Sequence, residues 1–248
     1  MSQRLMKQVL NDAITDNVEI IHKFGRTSAA NGVFTPVVST GVLNFLTTAR
    51  QVRIKAGGNI NDTASGTGAR SVLVIGLDET GIQIMEVLTT AGVVASAASV
   101  NTFIRVYRVV VVSVGEYGGT NADSIFLETA DGVTDLLEVV ALKSQSKFCA
   151  YTIPLGKVGY LKSVFSGVDS NKTVDVQVLT RESILNTTAP FDPKRVRIEI
   201  SAISGVHSTN LEASMIELTE LTDIWVEASG NSATADVSAS LEILIFDV

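Results

Sequence analysis

The sequence predicts an all-β protein, built as two β-sandwich or jelly-roll-like domains preceded by a short N-terminal arm. Three observations predict it. Apolar and polar residues alternate over short stretches, as in half-buried strands. Val, Ile, Thr and Tyr fill those stretches, and these side chains suit a pleated surface. Turns built on Gly, Asn and Asp separate the stretches, and the pattern of the second half, roughly eight strands with a turn every ten or so residues, is that of a sandwich or jelly roll. From Val33 onward no helical period is visible.

The elements follow in order. Residues 1–30 form the arm, where Leu5, Val9 and Ala13, or Met6, Leu10 and Ile14, make one helical stripe. No Gly or Pro ends it. Val18 to Phe24 then reads as a strand. A terminal segment with apolar positions packs on its own domain or on a neighbouring subunit, and the sequence leaves both open.

The first domain spans 31–135 and is organised around the stretch from Arg50 to Asp123. Val52 and Ile54 alternate with Arg53 and Lys55. A loop rich in Gly, Asn and Thr, from Gly57 to Ala69, precedes a hairpin. Its strands are Ser71 to Ile75 and Ile82 to Leu88, joined through Asp78 and Gly81. Gly81 tolerates positive φ, and the Asp78 carboxylate can accept from backbone two residues on. Phe103 to Val114 is apolar on both faces and reads as a central strand; on an open edge it would invite aggregation. Ser124 to Glu128 is the next strand, and Asp131 to Asp135 the break between domains.

The second domain spans 136–248. Its strands run from Phe148 to Ile153, Val158 to Val168 and Thr173 to Thr180, with Val174, Val176 and Val178 facing in. Val196, Ile198 and Ile200 alternate with charged residues. After a turn at Gly205 to Ser208 come Leu211 to Leu218, then Asp223 to Ala228. The closing strand alternates Val237, Ala239, Leu241, Ile243 and Ile245 against Ser238, Ser240 and Glu242.

Composition narrows the function. The 248 residues are 46% hydrophobic and 18% charged, which favours a large core over disorder. A net charge of −7, with 19 scattered basic residues, disfavours a nucleic-acid partner. The single cysteine, Cys149, excludes an intramolecular disulfide. No signal peptide and no apolar window fit to cross a bilayer are apparent, so no membrane partner is expected. The sequons at Asn61, Asn171 and Asn186 read as loop residues.

Several residue groups invite a chemical reading. Gly66-Thr67-Gly68-Ala69-Arg70 suggests a phosphate cradle, but a strand follows where a P-loop needs Lys-Ser/Thr opening a helix. Asn59, Asn61, Asp62 and Asp78 offer oxygens of the kind Ca²⁺ takes, without an EF-hand's spacing; Asx-type turn bonding is the better reading of them. His22 and His207 have no partner at ligand spacing. Cys149 sits in an apolar strand as a small buried hydrophobe. No Gly-x-Ser-x-Gly elbow occurs, Ser204 and His207 are only sequence neighbours, and Glu217 and Glu220 flank a strand end. No catalytic residue, cofactor or metal is expected, and the protein reads as a non-enzyme. Trp225, sharing a strand face with Asp223 and Glu227, is a candidate partner contact or the cover of a sandwich end.

Other segments carry a resemblance. Ile21-His22-Lys23-Phe24-Gly25-Arg26, Asn61-Asp62-Thr63-Ala64-Ser65-Gly66-Thr67-Gly68-Ala69-Arg70 with Gly76-Leu77-Asp78, and Asn101-Thr102-Phe103-Ile104-Arg105-Val106 resemble segments of tailed-bacteriophage virion proteins. So do Gly118-Gly119-Thr120-Asn121-Ala122, Tyr151-Thr152-Ile153-Pro154-Leu155-Gly156-Lys157, Asp223-Ile224-Trp225-Val226 and the closing strand. Leu155 departs from the pattern, where a smaller residue is usual. The resemblance runs from about His22 to the end and implies a structural component of the head or tail. The expected function is a capsid cement or decoration protein, a homo-oligomer and most concretely a trimer. It would bridge capsomers of a major capsid protein, in virions assembled in the host cytoplasm. The alternative is a head fibre, spike or tail adaptor whose second domain binds a receptor or glycan. The candidate partner contacts are Leu5, Val9, Phe24, Arg26 and Trp225.

Overall fold

The structure, a computed structural model, describes residues 18–169, 171–231 and 233–248. Every α-helix or strand among them is a strand, so the all-β expectation holds. In chain order they begin with β1 (Val18–Ala29) and β2 (Thr35–Pro36). Then come β3 (Val52–Ile54), β4 (Ala69–Leu77), β5 (Gln83–Thr89), β6 (Arg105–Val114), β7 (Ile125–Thr129) and β8 (Asp135–Val139). The series continues with β9 (Ala150–Thr152), β10 (Lys157–Val168), β11 (Val174–Arg181), β12 (Arg195–Ile203), β13 (Val206–Asn210), β14 (Ile216–Leu218), β15 (Asp223–Gly230) and β16 (Ala235–Asp247). The chain divides into two compact units: Met1–Gly41 with Cys149–Val248, and Val42–Phe148.

The first unit has two antiparallel sheets. One runs β1-β16-β10, with β13 and β14 both beside β10; the other runs β12-β11-β15, with β2 and β9 both beside β15. β2 pairs Pro36 and Thr35 with Glu227 and Ala228, while β9 pairs Ala150 to Thr152 with Trp225 to Asp223. Between them the Val37 N–H donates to the Val226 carbonyl (2.8 Å), and the Val226 N–H to the Cys149 carbonyl (3.2 Å). The Cys149 N–H in turn reaches the Val37 carbonyl at 3.1 Å. β2 and β9 are thus halves of one strand, interrupted by the second unit. With β2/β9 and β13/β14 each counted as one strand, both sheets have the connectivity of an eight-stranded jelly roll.

Alternation explains its core. Val237, Ala239, Leu241, Ile243 and Ile245 of β16 are buried, as are Val174, Val176 and Val178 of β11. Fully burying such a side chain stabilises by roughly 1.5–3 kcal/mol. β15 is buried along both faces. Its Asp223 accepts from Thr152 Oγ1 (2.8 Å) and Arg181 Nη2 (2.8 Å), which satisfies a carboxylate with no exposure to water. Gly25 lies where β1 crosses the split strand; a Cβ there would stand 1.9 Å from the Val37 carbonyl oxygen.

The second unit has two three-stranded sheets, β3-β7-β8 and β5-β4-β6. The hairpin forms as expected: Asp78 Oδ1 accepts from the N–H of Thr80 (2.8 Å) and Ile82 (3.0 Å), and Gly81 has φ +86°. A second device is Asp62. Its Oδ1 accepts from the Ala69 N–H (2.7 Å) and the Ala122 N–H (2.9 Å), and its Oδ2 from the Asp123 N–H (3.1 Å). Next to it Asn121, also buried, donates to the carbonyls of Asp123 (2.7 Å) and Val140 (3.0 Å) and accepts from the Ser144 N–H (2.9 Å). Asp62 ties the loop 57–69 to the turn 118–123, and Asn121 ties that turn to residues 139–144.

Several expectations need correction. The compact units do not divide at 30 and 135: Val18 to Ala29 is a full strand of the first unit, and the supposed break at Asp131 to Asp135 is the turn of the β7–β8 hairpin. The second unit is not a jelly roll, because its strands form two separate small sheets. β6 is not central in its sheet; β4 is. Its far edge is covered instead by the stretch around Ser144 and Ser146, through Val111 N–H to Ser144 (2.8 Å) and Ser146 N–H to Val109 (2.9 Å). Residues 206–208, read as a turn, begin β13. The helical stripe of the arm, with Leu5 and Val9, lies outside the described residues.

Four carboxyls sit below their ordinary range. At Asp131 and Asp236 the leading causes are hydrogen bonds from Thr129 and from Ser28 and Arg26. At Asp78 and Glu242 burial pulls upward, and hydrogen bonds from Thr80 and Ile82, and from Lys162 and Ser163, outweigh it. A carboxyl depressed in the folded state contributes stability above its unfolded pKa and loses it as pH falls through the folded value. The urea midpoint is therefore expected to hold near neutrality and to fall as pH drops below about 4; a midpoint that rises there would contradict these assignments.

Candidate interaction surface

The outward face of the β1-β16-β10 sheet brings the two described arm-proximal candidates together. Along β1, Lys23, Gly25 and Thr27 are buried, so the alternate residues Phe24 and Arg26 point away from the core. Register then sets rows across the face: Ile20–Leu244–Tyr160–Glu217, His22–Glu242–Ser163, Phe24–Ser240–Phe165 and Arg26–Ser238–Gly167–Val206. Ile20 is 48% exposed and Phe165 40%, with the Tyr160 and Phe246 rings edge to face at 5.6 Å. The face is mixed: His22, Ser240, Ser238 and Arg26 are polar positions between the apolar ones, and at its middle Glu242 accepts from Lys162 Nζ (3.1 Å) and Ser163 Oγ (3.0 Å).

At the Arg26 row the face sinks into a groove of about 250 Å³ lined by Arg26, Gly167, Val168, Asp169, Val206, Asp236 and Ser238. The floor exists because Gly167 has no side chain; a Cβ there would meet Ser238 Oγ at 2.9 Å. Arg26 pairs with Asp236 at 2.5 Å, and the Asp236 N–H donates to Asp169 Oδ2 at 3.1 Å. Hydrogen bonds from the Ser28 hydroxyl and Arg26 keep the Asp236 carboxyl ionised well below the usual range. The groove is apolar along its Val206 side and charged at its Arg26 end.

The second unit has its own apolar face, on β5-β4-β6. Val87–Leu73–Val110 and Met85–Ile75–Arg108 lie in register, with Met85 59% and Val87 56% exposed. The β3-β7-β8 sheet differs: it carries the ion pairs Arg53–Glu128 and Lys55–Asp135, both 2.8 Å.

The other sequence candidates resolve individually. Trp225 is 5% exposed, and its Nε1–H donates to Glu227 Oε1 at 2.9 Å. It is not an outward contact, because β15 is flanked by strands on both edges and covered on both faces. Asn59 Oδ1 accepts from the Asn61 N–H (2.9 Å), Asp62 is engaged by backbone amides, and Asp78 serves its own turn, so the proposed Ca²⁺ oxygens are not gathered. Gly66 and Gly68 press on the Asn61 carbonyl and Asp62 Oδ1, where a Cβ would stand at 2.1 and 2.2 Å. His207 Nε2 lies 3.1 Å from Thr209 Oγ1, and Glu220 accepts from the Gly156 N–H at 2.8 Å. Cys149 is buried, and burial pushes its thiol up to about 12 despite nearby Lys23. Native protein is expected to leave a thiol reagent such as Ellman's unreacted at pH 8 until denaturant is added; prompt labelling would place Cys149 in contact with water.

No family model matches the chain, and no curated protein matches it. Among solved structures, the infectious bursal disease virus VP2 subviral particle is similar over 100% of this chain and 83% of that one, at 9% identity and a TM-score of 0.22. The structure of the infectious bursal disease virus Gt strain is similar over 94% and 77%, at 9% identity and a TM-score of 0.20. Scores this low do not define a shared fold.

Proposed function

We propose that the protein is a non-enzymatic structural component of a bacteriophage particle, most concretely a capsid cement or decoration protein. It would act as a homo-oligomer, most concretely a trimer, and bridge capsomers of the major capsid protein. The observation that carries this reading is the outward sheet face with exposed Ile20, Phe165 and Val206 among polar residues and a groove at one end, a surface of the mixed kind that protein partners cover. Covering such surface contributes roughly 25 cal/mol per Å², set against the cost of association. The motifs that resemble virion proteins also have structural work here: Asp62 ties loop 57–69 to turn 118–123, Asn121 ties that turn to residues 139–144, and Gly25 lets the two sheets approach. The fibre or glycan-binding alternative drew on an exposed Trp225, and that residue is buried.

The test is binding of purified protein to capsids lacking it. Phe165→Asp together with Ile20→Asp is expected to abolish sedimentation with capsids while leaving the far-UV circular dichroism unchanged. Undiminished binding would remove this face from the proposal.

A further inference from the structure

We infer that the open edge of β5 pairs antiparallel with β5 of a second copy across a two-fold axis, joining two β5-β4-β6 sheets into one. The inference does not rest on the particle role. β5 ends its sheet, with only β4 hydrogen-bonded beside it. The Asp78 N–H donates to the Ile82 carbonyl (2.9 Å) and the Thr90 N–H to the Arg70 carbonyl (3.1 Å). The even-numbered residues of β5 therefore turn their N–H and carbonyl groups toward β4. Gln83, Met85, Val87 and Thr89 turn theirs the other way, and no described residue bonds them. The open run stops at Ala91, where Thr63 forms a bridge.

Two other edges of this unit are covered. β6 is met by the stretch around Ser144 and Ser146. β3 is met by Ser96, whose N–H donates to the Ile54 carbonyl (3.0 Å), and by Ser99, whose N–H reaches the Val52 carbonyl (2.7 Å). β5 also lacks the devices that keep an exposed edge from pairing. It has no lysine, no proline and no bulge against β4. Glu86, its one charged residue, turns its carboxylate onto the N–H groups of Val100 (2.6 Å) and Asn101 (2.9 Å).

The occupant is a second copy because β5 is complementary to itself. With the axis at Val87, Val87 faces Val87 and Met85 faces Thr89, all with backbone groups turned outward. Glu86 then lies opposite Leu88; an axis at Glu86 would set two carboxylates against each other. The same register sets the apolar row Val87–Leu73–Val110 end to end with its copy, on a face where Met85 and Val87 are more than half exposed. Pairing of β5 with itself also uses up both edges, so the contact closes at two copies and no filament grows.

The experiment is done on the full chain. Val87→Cys places two thiols on the axis, at the Cα separation of about 5.5 Å that a disulfide spans, and the native Cys149 is buried. Mild oxidation is expected to link Val87→Cys chains about tenfold faster than Val94→Cys chains, whose thiol is equally exposed in the same unit but off the edge. Val87→Lys sets two ammonium groups on the axis. It should halve the mass measured by sedimentation equilibrium at about 100 µM, a concentration suited to a contact of one strand per copy. Mixing Val87→Lys with Val87→Glu in equal amounts should restore that mass, which a variant that merely unfolds would not do. Linking no faster than in Val94→Cys chains would overturn the inference, as would a mass that Val87→Lys leaves unchanged.

Discussion

Replacing Asp62 with alanine is expected to cost about 3–5 kcal/mol of stability, read as a lower urea midpoint. The side chain is 3% exposed and accepts from three backbone N–H groups, those of Ala69, Ala122 and Asp123. Alanine leaves all three without an acceptor in a tightly packed place, and each buried orphan costs roughly 1–3 kcal/mol. The glycines at 66 and 68 make relaxation difficult, because their backbone already touches Asn61 and Asp62. Asp62→Asn keeps the shape and one acceptor oxygen, so it should retain part of the stability. A change below about 1 kcal/mol for Asp62→Ala would mean that water replaces the carboxylate and that the loops are not locked by it.

The second large effect falls on Gly25. Gly25→Ala adds a single methyl group, yet that carbon would sit 1.9 Å from the Val37 carbonyl oxygen and 2.8 Å from the Cys149 amide nitrogen. Both are backbone atoms, and the Cys149 N–H to Val37 carbonyl bond is the one that closes the interrupted strand. Neither can swing aside as a flexible side chain would, so β1 must lift from the opposite sheet. Overpacking of this kind costs about 1–3 kcal/mol, and the upper end is expected because backbone has to move. Urea unfolding followed by the fluorescence of Trp225, which lies in the same unit, checks it. A variant within about 0.5 kcal/mol of the parent would show that the sheets are separable at Gly25 at little cost.

Much of this architecture is legible in the sequence. The closing strand, β11 and the β4–β5 hairpin follow from alternation and from Asp78 and Gly81, which are local signals. What was illegible is non-local. The strand split between Val37 and Cys149 cannot be seen in a sequence where its halves stand over a hundred residues apart. Asp131 to Asp135 reads as a break because a polar hairpin turn and a linker have the same composition.

The face itself was half visible. Phe24 and Arg26 follow from the alternation of β1, but Phe165 does not. A bulge between Leu161 and Ser163 changes the phase of β10, so Leu161 and Val164 both face the core and Phe165 turns outward. Counting by twos from Leu161 would have buried it. Trp225, which the sequence left open as a partner contact or the cover of a sandwich end, is buried. Its acidic neighbours suggested an outward face, yet Asp223 is neutralised by Arg181, and Glu227 accepts the indole N–H with Lys194 at 3.6 Å. Buried acids with their own partners carry no sign of burial in the sequence.

The central claim, that this protein acts by fixing rigid sheet-built surfaces to its neighbours in a phage particle, meets its most direct test in quantitative mass spectrometry of gradient-purified virions. The expected result is a fixed ratio of this chain to the major capsid protein, retained through a high-salt wash. Its absence from washed particles that are complete and infectious would contradict the claim.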